Sequence, residues 1–133
     1  MTLALSSFLR RALIIDAVVS GATAVLLVFA AGMLARWLEV PESLLRYAGV
    51  VLVPFVGYVA FVARRDVVPR ASVLAVIGLN FAWVAASLWL LFGGPIQPNA
   101  FGYAFIIVQA LAVALFAEVQ YVGLRRSELQ RVA

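Results

Sequence analysis

Four apolar runs, separated by short polar or charged stretches, dominate the pattern along the chain. They cover about residues 12–35, 44–63, 71–92 and 100–124, each near the roughly 20 residues that a helix needs to cross a bilayer. The breaks between them carry turn and stop residues: Gly93-Gly94-Pro95 after the third run, and Gln97-Pro98-Asn99 before the fourth. Pro54 lies inside the second run and predicts a kink there, because it has no N–H and crowds the preceding turn. The connections are short, so sequential helices should pack antiparallel. The expected fold is all-α: a polytopic membrane protein of four antiparallel transmembrane helices in an up-down bundle, residues 1–133 forming one transmembrane domain.

Composition strengthens this reading. Of 133 residues, 66% are hydrophobic and only 12% are charged. A soluble domain needs a polar coat that such a chain lacks. With four spans placed, no separate soluble domain fits. The Arg10-Arg11 pair ahead of the first run raises a cleavable signal peptide as an alternative. That run is too long for a signal's apolar region, and Asp16 interrupts its start, which favours an uncleaved first span.

The net charge of +4 comes with ten basic residues, all arginine. They sit at the ends of apolar runs and form no stripe on one face, which speaks for topological anchoring and against nucleic acid binding. Arg10, Arg11, Arg64, Arg65, Arg70, Arg125, Arg126 and Arg131 fall on one side of the membrane. The other side has Arg36 and Arg46, offset by Glu39 and Glu42. The positive-inside rule then places both termini in the cytoplasm, in a bacterial inner (cytoplasmic) membrane. Trp37, Tyr47, Trp89 and Tyr103 fall near span ends, where interfacial aromatics belong.

Candidate chemistry lies with polar groups inside the spans. Cysteine and histidine are absent, which removes thiol redox chemistry, a zinc site and His or Cys haem ligation. No cofactor and no metal is expected. Two acids lie within spans, Asp16 and Glu118, and such groups usually face the bundle. Asp16 is five residues past Arg11, about 8 Å along a helix, and Glu118 is seven residues before Arg125, about 10 Å. Similar depth suggests that the first and fourth spans bring the two carboxylates together. Asp16, Ser20 and Thr23 share a helix face, as do Asn80, Trp83 and Ser87. On the fourth span Ala110, Ala114 and Ala117 make a small-residue face, with Glu118 and Tyr121 beside it. Leu111, Leu115, Val119 and Val122 should face lipid, and Gln109 and Gln120 form a second polar edge. The expected intramembrane cluster is therefore Asp16, Ser20, Thr23, Asn80, Trp83, Ser87, Glu118 and Tyr121. It serves either to fix helix contacts by hydrogen bonding, with an acid neutral or paired to Arg10 or Arg11, or to line a cavity where a carboxylate exchanges protons. Gly78, Ala82 and Ala86 form a further small-residue series on the third span, suited to packing within the bundle or against a second copy.

Asp16-Ala17-Val18-Val19-Ser20-Gly21-Ala22, Asn80-Phe81-Ala82-Trp83 and Gln120-Tyr121-Val122-Gly123-Leu124-Arg125-Arg126 resemble stretches of small uncharacterised four-helix integral membrane proteins of bacteria. That group implies no activity. In size, four spans and a first-span acid, the chain also resembles the small multidrug resistance transporters, in architecture only. Those carry a glutamate deep in the first helix, shared across a dimer, whereas Asp16 lies close to the cytoplasmic edge. That resemblance therefore implies no substrate site here.

The expected function is a non-enzymatic multi-pass membrane protein, an assembly, accessory or small-ligand-binding component. The alternative is a small proton-coupled transporter acting as a dimer through Asp16 and Glu118. An intramembrane enzyme would have to work through those two acids alone. Expected partners are membrane lipids and a second copy or another membrane subunit, with no nucleic acid.

Overall fold

The computed structural model describes the backbone of residues 2–132 and the side chains through Leu129, so Arg131 of the charge count lies outside the described side chains. The elements run β1 (Thr2–Ala4), α1 (Ser7–Phe29), α2 (Ala31–Leu38), α3 (Glu42–Arg64), β2 (Val67–Pro69), α4 (Arg70–Phe92) and α5 (Ala100–Val132). Four helices are long and apolar enough to cross a membrane: α1, α3, α4 and the Ala100–Leu129 part of α5.

The third span begins and ends within a residue of the sequence expectation, because Pro69 precedes it and Gly93 and Gly94 stop it. Gly93 N–H bonds to Trp89 O, and Gly94 takes φ 85°, a conformation open to glycine. The first span differs. It starts five residues early, because the Ser6 side chain accepts from Leu9 N–H and caps the helix. It then breaks at Ala30 (φ −112°, ψ 18°), and the chain restarts as the short α2, with Ala31, Leu34 and Leu38 buried and Trp37 outward. An apolar run read as one helix is thus two. Glu39 ends α2 in the left-handed region at φ 53°. Pro54 lies within the continuous span of α3, where it denies the Val50 carbonyl its helical donor. The fourth helix runs past residue 124, because its tail is docked. Ser127 bonds Ser6, and Glu128 pairs with Arg70.

That docking belongs to a clamp at the arginine-rich end. β1 pairs antiparallel with β2, Leu3 opposite Val68, and both side chains are buried. Leu5 N–H bonds Asp66 O, and Arg10 reaches both Ala63 O and the Asp66 carboxylate. Three-residue strands leave no alternation for sequence reading to find.

The helices pack in the order α3, α1, α5, α4, and α3 barely touches α4. The bundle is therefore open along one side. Close contacts depend on small residues. A Cβ at Gly49 would meet Val28 Cγ2 at 2.8 Å and Leu27 Cβ at 2.9 Å; one at Gly123 would meet Leu9 Cα at 3.0 Å. Without a hydrophobic drive between helices in lipid, this backbone approach supplies the contact energy. On α5, Ala110 and Ala117 are buried as expected and Ala114 is half-buried, while Leu111, Leu115 and Val122 are exposed and Val119 is half-buried.

Candidate functional site

Asp16 on α1 is fully buried in a mainly apolar interior. Ser20, one turn on, donates to its Oδ1 at 2.9 Å. Its Oδ2 accepts from Asn80 Nδ2 of α4 at 2.8 Å and from Gln120 Nε2 of α5 at 2.6 Å. Asn80 Nδ2 also donates to Gln120 Oε1 at 3.0 Å, so the three side chains close a ring that ties α1, α4 and α5. Among the described residues Asp16 forms no ion pair, and neither Arg10 nor Arg11 reaches it. Three N–H and O–H donors take the place of water around the carboxylate, which is how an apolar interior tolerates such a group.

A second ring lies further along α4. Trp83 Nε1 donates to Gln109 Oε1 at 2.8 Å, and Gln109 Nε2 donates to Ser87 Oγ at 2.9 Å and to Ile106 O. Ser87 in turn donates to Trp83 O. Thr23 shares Asp16's helix face but donates to Val19 O of its own helix and joins neither ring.

Two members of the expected cluster stand elsewhere. Glu118 is exposed on the outer face of α5 and makes no hydrogen bond or ion pair among the described residues; Tyr121 is 48% exposed beside it. The two carboxylates are not brought together. The inward face of α5 carries Gln109, Ala117, Gln120 and Leu124. Glu118, two residues before Gln120, is turned by about 200° around the helix and so points away. Gln120 takes the place expected for Glu118. The chain carries a signal for it: Gln109 and Gln120 are eleven residues apart, about three helical turns, and so share a face.

A cavity of about 390 Å³ occupies the gap between α3 and α4, backed by α1 and α5. Its walls are mainly apolar, from Val51, Phe55, Leu79, Val113 and Phe116, while Ser20, Thr23, Asn80, Trp83 and Gln109 supply polar groups. An adjoining cavity of about 280 Å³ shares Thr23, Val51, Trp83 and Gln109 and extends along Tyr47, Leu90 and Phe105, away from the arginine-rich end. At the arginine-rich end Tyr58 Oη bonds Ser72 O at 3.3 Å and joins α3 to α4. The result is a cleft, bridged near the clamp and continued toward the other end by the second cavity. Two partners of Asp16, Ser20 and Asn80, line it. Both Asn80 amide hydrogens are committed to the ring, which leaves its Oδ1 as the acceptor available there.

No family model, curated protein or solved structure matches the chain. The resemblances to other four-span proteins therefore rest on architecture alone, four helices long and apolar enough to cross a membrane.

Proposed function

We propose that this chain is a non-enzymatic multi-pass membrane protein that binds a small, largely apolar molecule in the cleft between α3 and α4. The supporting observation is the cleft itself. A four-helix bundle that served only to fill its own core would close α3 onto α4, yet here mainly apolar walls surround a few convergent polar groups. The role is that of an accessory, assembly or small-ligand-binding component.

The test uses Trp83, which lines both cavities. In a Trp37→Phe, Trp89→Phe background it is the sole tryptophan. Titration with 10-bromodecanol in detergent should quench its fluorescence saturably. Ala112→Phe, which fills the cleft, should remove the saturable part. Quenching that rises linearly, unchanged by Ala112→Phe, would reject a binding site.

A second reading, a small proton-coupled transporter, draws support from Asp16. It lies directly behind Ser20 and Asn80, one side chain from the cleft. In this reading Asp16 acts without Glu118, which faces the other way. Asp16→Asn would then abolish a pH-dependent flux while leaving saturable quenching intact. Retention of any such flux would reject the reading.

The arginine asymmetry supports a bacterial inner membrane location with both termini cytoplasmic. A reporter active only in the cytoplasm should work when fused at Asp66 and at the C-terminus, and stay silent at Glu39 and Gln97. Activity at Gln97 would reverse the orientation.

A further inference from the structure

The outer face of α5 holds a carboxylate and a phenol that make no hydrogen bond or ion pair among the described residues. Glu118 and Tyr121 are exposed within a span whose other outward residues include Val108, Leu115 and Val122. They belong to one stripe. Ile107, Leu111, Ala114, Glu118, Tyr121 and Arg125 alternate four and three residues apart, the spacing of a left-handed helix–helix seam. All of them are exposed except the half-buried Ala114. A carboxyl group facing lipid is costly and is relieved by a polar partner. Tyr121, one turn away, does not bond to it within the helix.

We propose that this stripe is the contact between two copies of the chain, side by side in the same orientation, with the Tyr121 hydroxyl of each donating to Glu118 of the other. The complementarity points to a second copy. A two-fold axis along the seam sets the two copies of Glu118 at one level and the two copies of Tyr121 about 4.5 Å further along. Helical side chains lean toward the N-terminus, so each Tyr121 hydroxyl spans that one turn to the other copy's Glu118, twice over. Ala114, one turn from Glu118 on the opposite side, lets the helices come close there, and Leu111 and Ile107 extend the contact with apolar surface. The rival face on α4 is also open, and a Cβ at Gly78 would meet nothing within 4 Å. It presents small residues with no polar group in need of a partner. The seam also lies across α5 from Gln109, Val113 and Phe116, so the dimer leaves the cleft free and does not depend on what the cleft binds.

The absence of cysteine from the chain makes the test direct, because each single-cysteine variant reports one position. Under mild oxidation in membranes, Leu111→Cys should give a disulfide-linked dimer as the main species. Val108→Cys, exposed but off the seam, and Gly78→Cys on α4 should stay monomeric. In lipid nanodiscs the unmodified chain should have the mass of a dimer. Tyr121→Phe, which removes both hydrogen bonds at once, should weaken dimerisation about tenfold. A monomeric mass, cross-linking at Val108→Cys or Gly78→Cys equal to that at Leu111→Cys, or an unchanged dimer in Tyr121→Phe would overturn the proposal.

Discussion

Replacing Asp16 by alanine is expected to destabilise the fold by about 2–4 kcal/mol, while Asp16→Asn should stay within about 1 kcal/mol of the parent. The carboxylate receives three hydrogen bonds in a fully buried place. Alanine removes both acceptor oxygens. Ser20 recovers by turning to a carbonyl of its own helix, and Asn80 keeps Gln120 Oε1. One amide hydrogen of Asn80 and one of Gln120 are left without an acceptor, and each buried unsatisfied donor costs about 1–3 kcal/mol. Asparagine repairs most of this. Its oxygen accepts from Asn80 and Gln120, and its amide donates to Ser20 Oγ. Polar contacts between membrane helices often contribute only about 0.6 kcal/mol, because the separated helices find other partners. A ring closed over three helices has fewer such alternatives. Unfolding in a denaturing detergent titration measures the difference. If Asp16→Ala is as stable as the parent, the ring contributes nothing to the fold. If Asp16→Asn is as damaging as Asp16→Ala, the hydrogen-bond account of the ring is wrong.

Gly102→Ala should lower stability by about 3 kcal/mol, at the upper end for overpacking. Gly102 sits in the first turn of α5, where that turn meets the end of α2. Asn99 organises the junction. Its Oδ1 accepts from Gly102 N–H at 2.9 Å, its Nδ2 donates to Trp37 O, and its own N–H donates to Leu38 O. This is a helix N-cap that also holds the neighbouring helix. A Cβ at Gly102 would lie 2.3 Å from Leu38 O and 2.5 Å from Pro98 Cβ. One neighbour is backbone and the other is a rigid ring, so no rotamer change relieves the overlap. The α2–α5 contact must open. Gly78→Ala is the control: nothing lies near its Cβ, and alanine should gain about 0.5–1 kcal/mol of helix propensity. Equal thermal stability of the two variants in detergent would show that the junction yields easily and would reject the prediction.

Most of the candidate site is legible in the amino-acid sequence. Asp16 and Ser20 are one turn apart, and Asn80 is a strongly polar residue in mid-span, so both the α1 and the α4 sides of the ring carry a signal in the chain. The misreading lies on α5. A charge is the group most costly to leave against lipid, which favours Glu118 over Gln120 as the inward residue, but only contacts with neighbours settle which way a helix is turned. α5 is apolar nearly all round, so its sequence has no strong polar side to fix that rotation. The same ambiguity hides the break at Ala30, since the chain on both sides is helix-forming and apolar.

Pattern alone establishes how many membrane-crossing helices there are, roughly where they start and stop, and that their solvent is lipid. Those features are local. In a bilayer each backbone N–H and C=O must find its partner within its own helix, so a run of about 20 apolar residues has few alternatives. Helix rotation, the opening between α3 and α4, the Leu3–Val68 strand pair, and the choice of Gln120 over Glu118 as the partner of Asp16 come from contacts between residues far apart in the chain. Lipid is as apolar as leucine, so burying one apolar face in place of another releases little free energy. Close approach at Gly49 and Gly123 and the closed hydrogen-bond rings provide the small differences that select one packing, and they arise only when the helices meet.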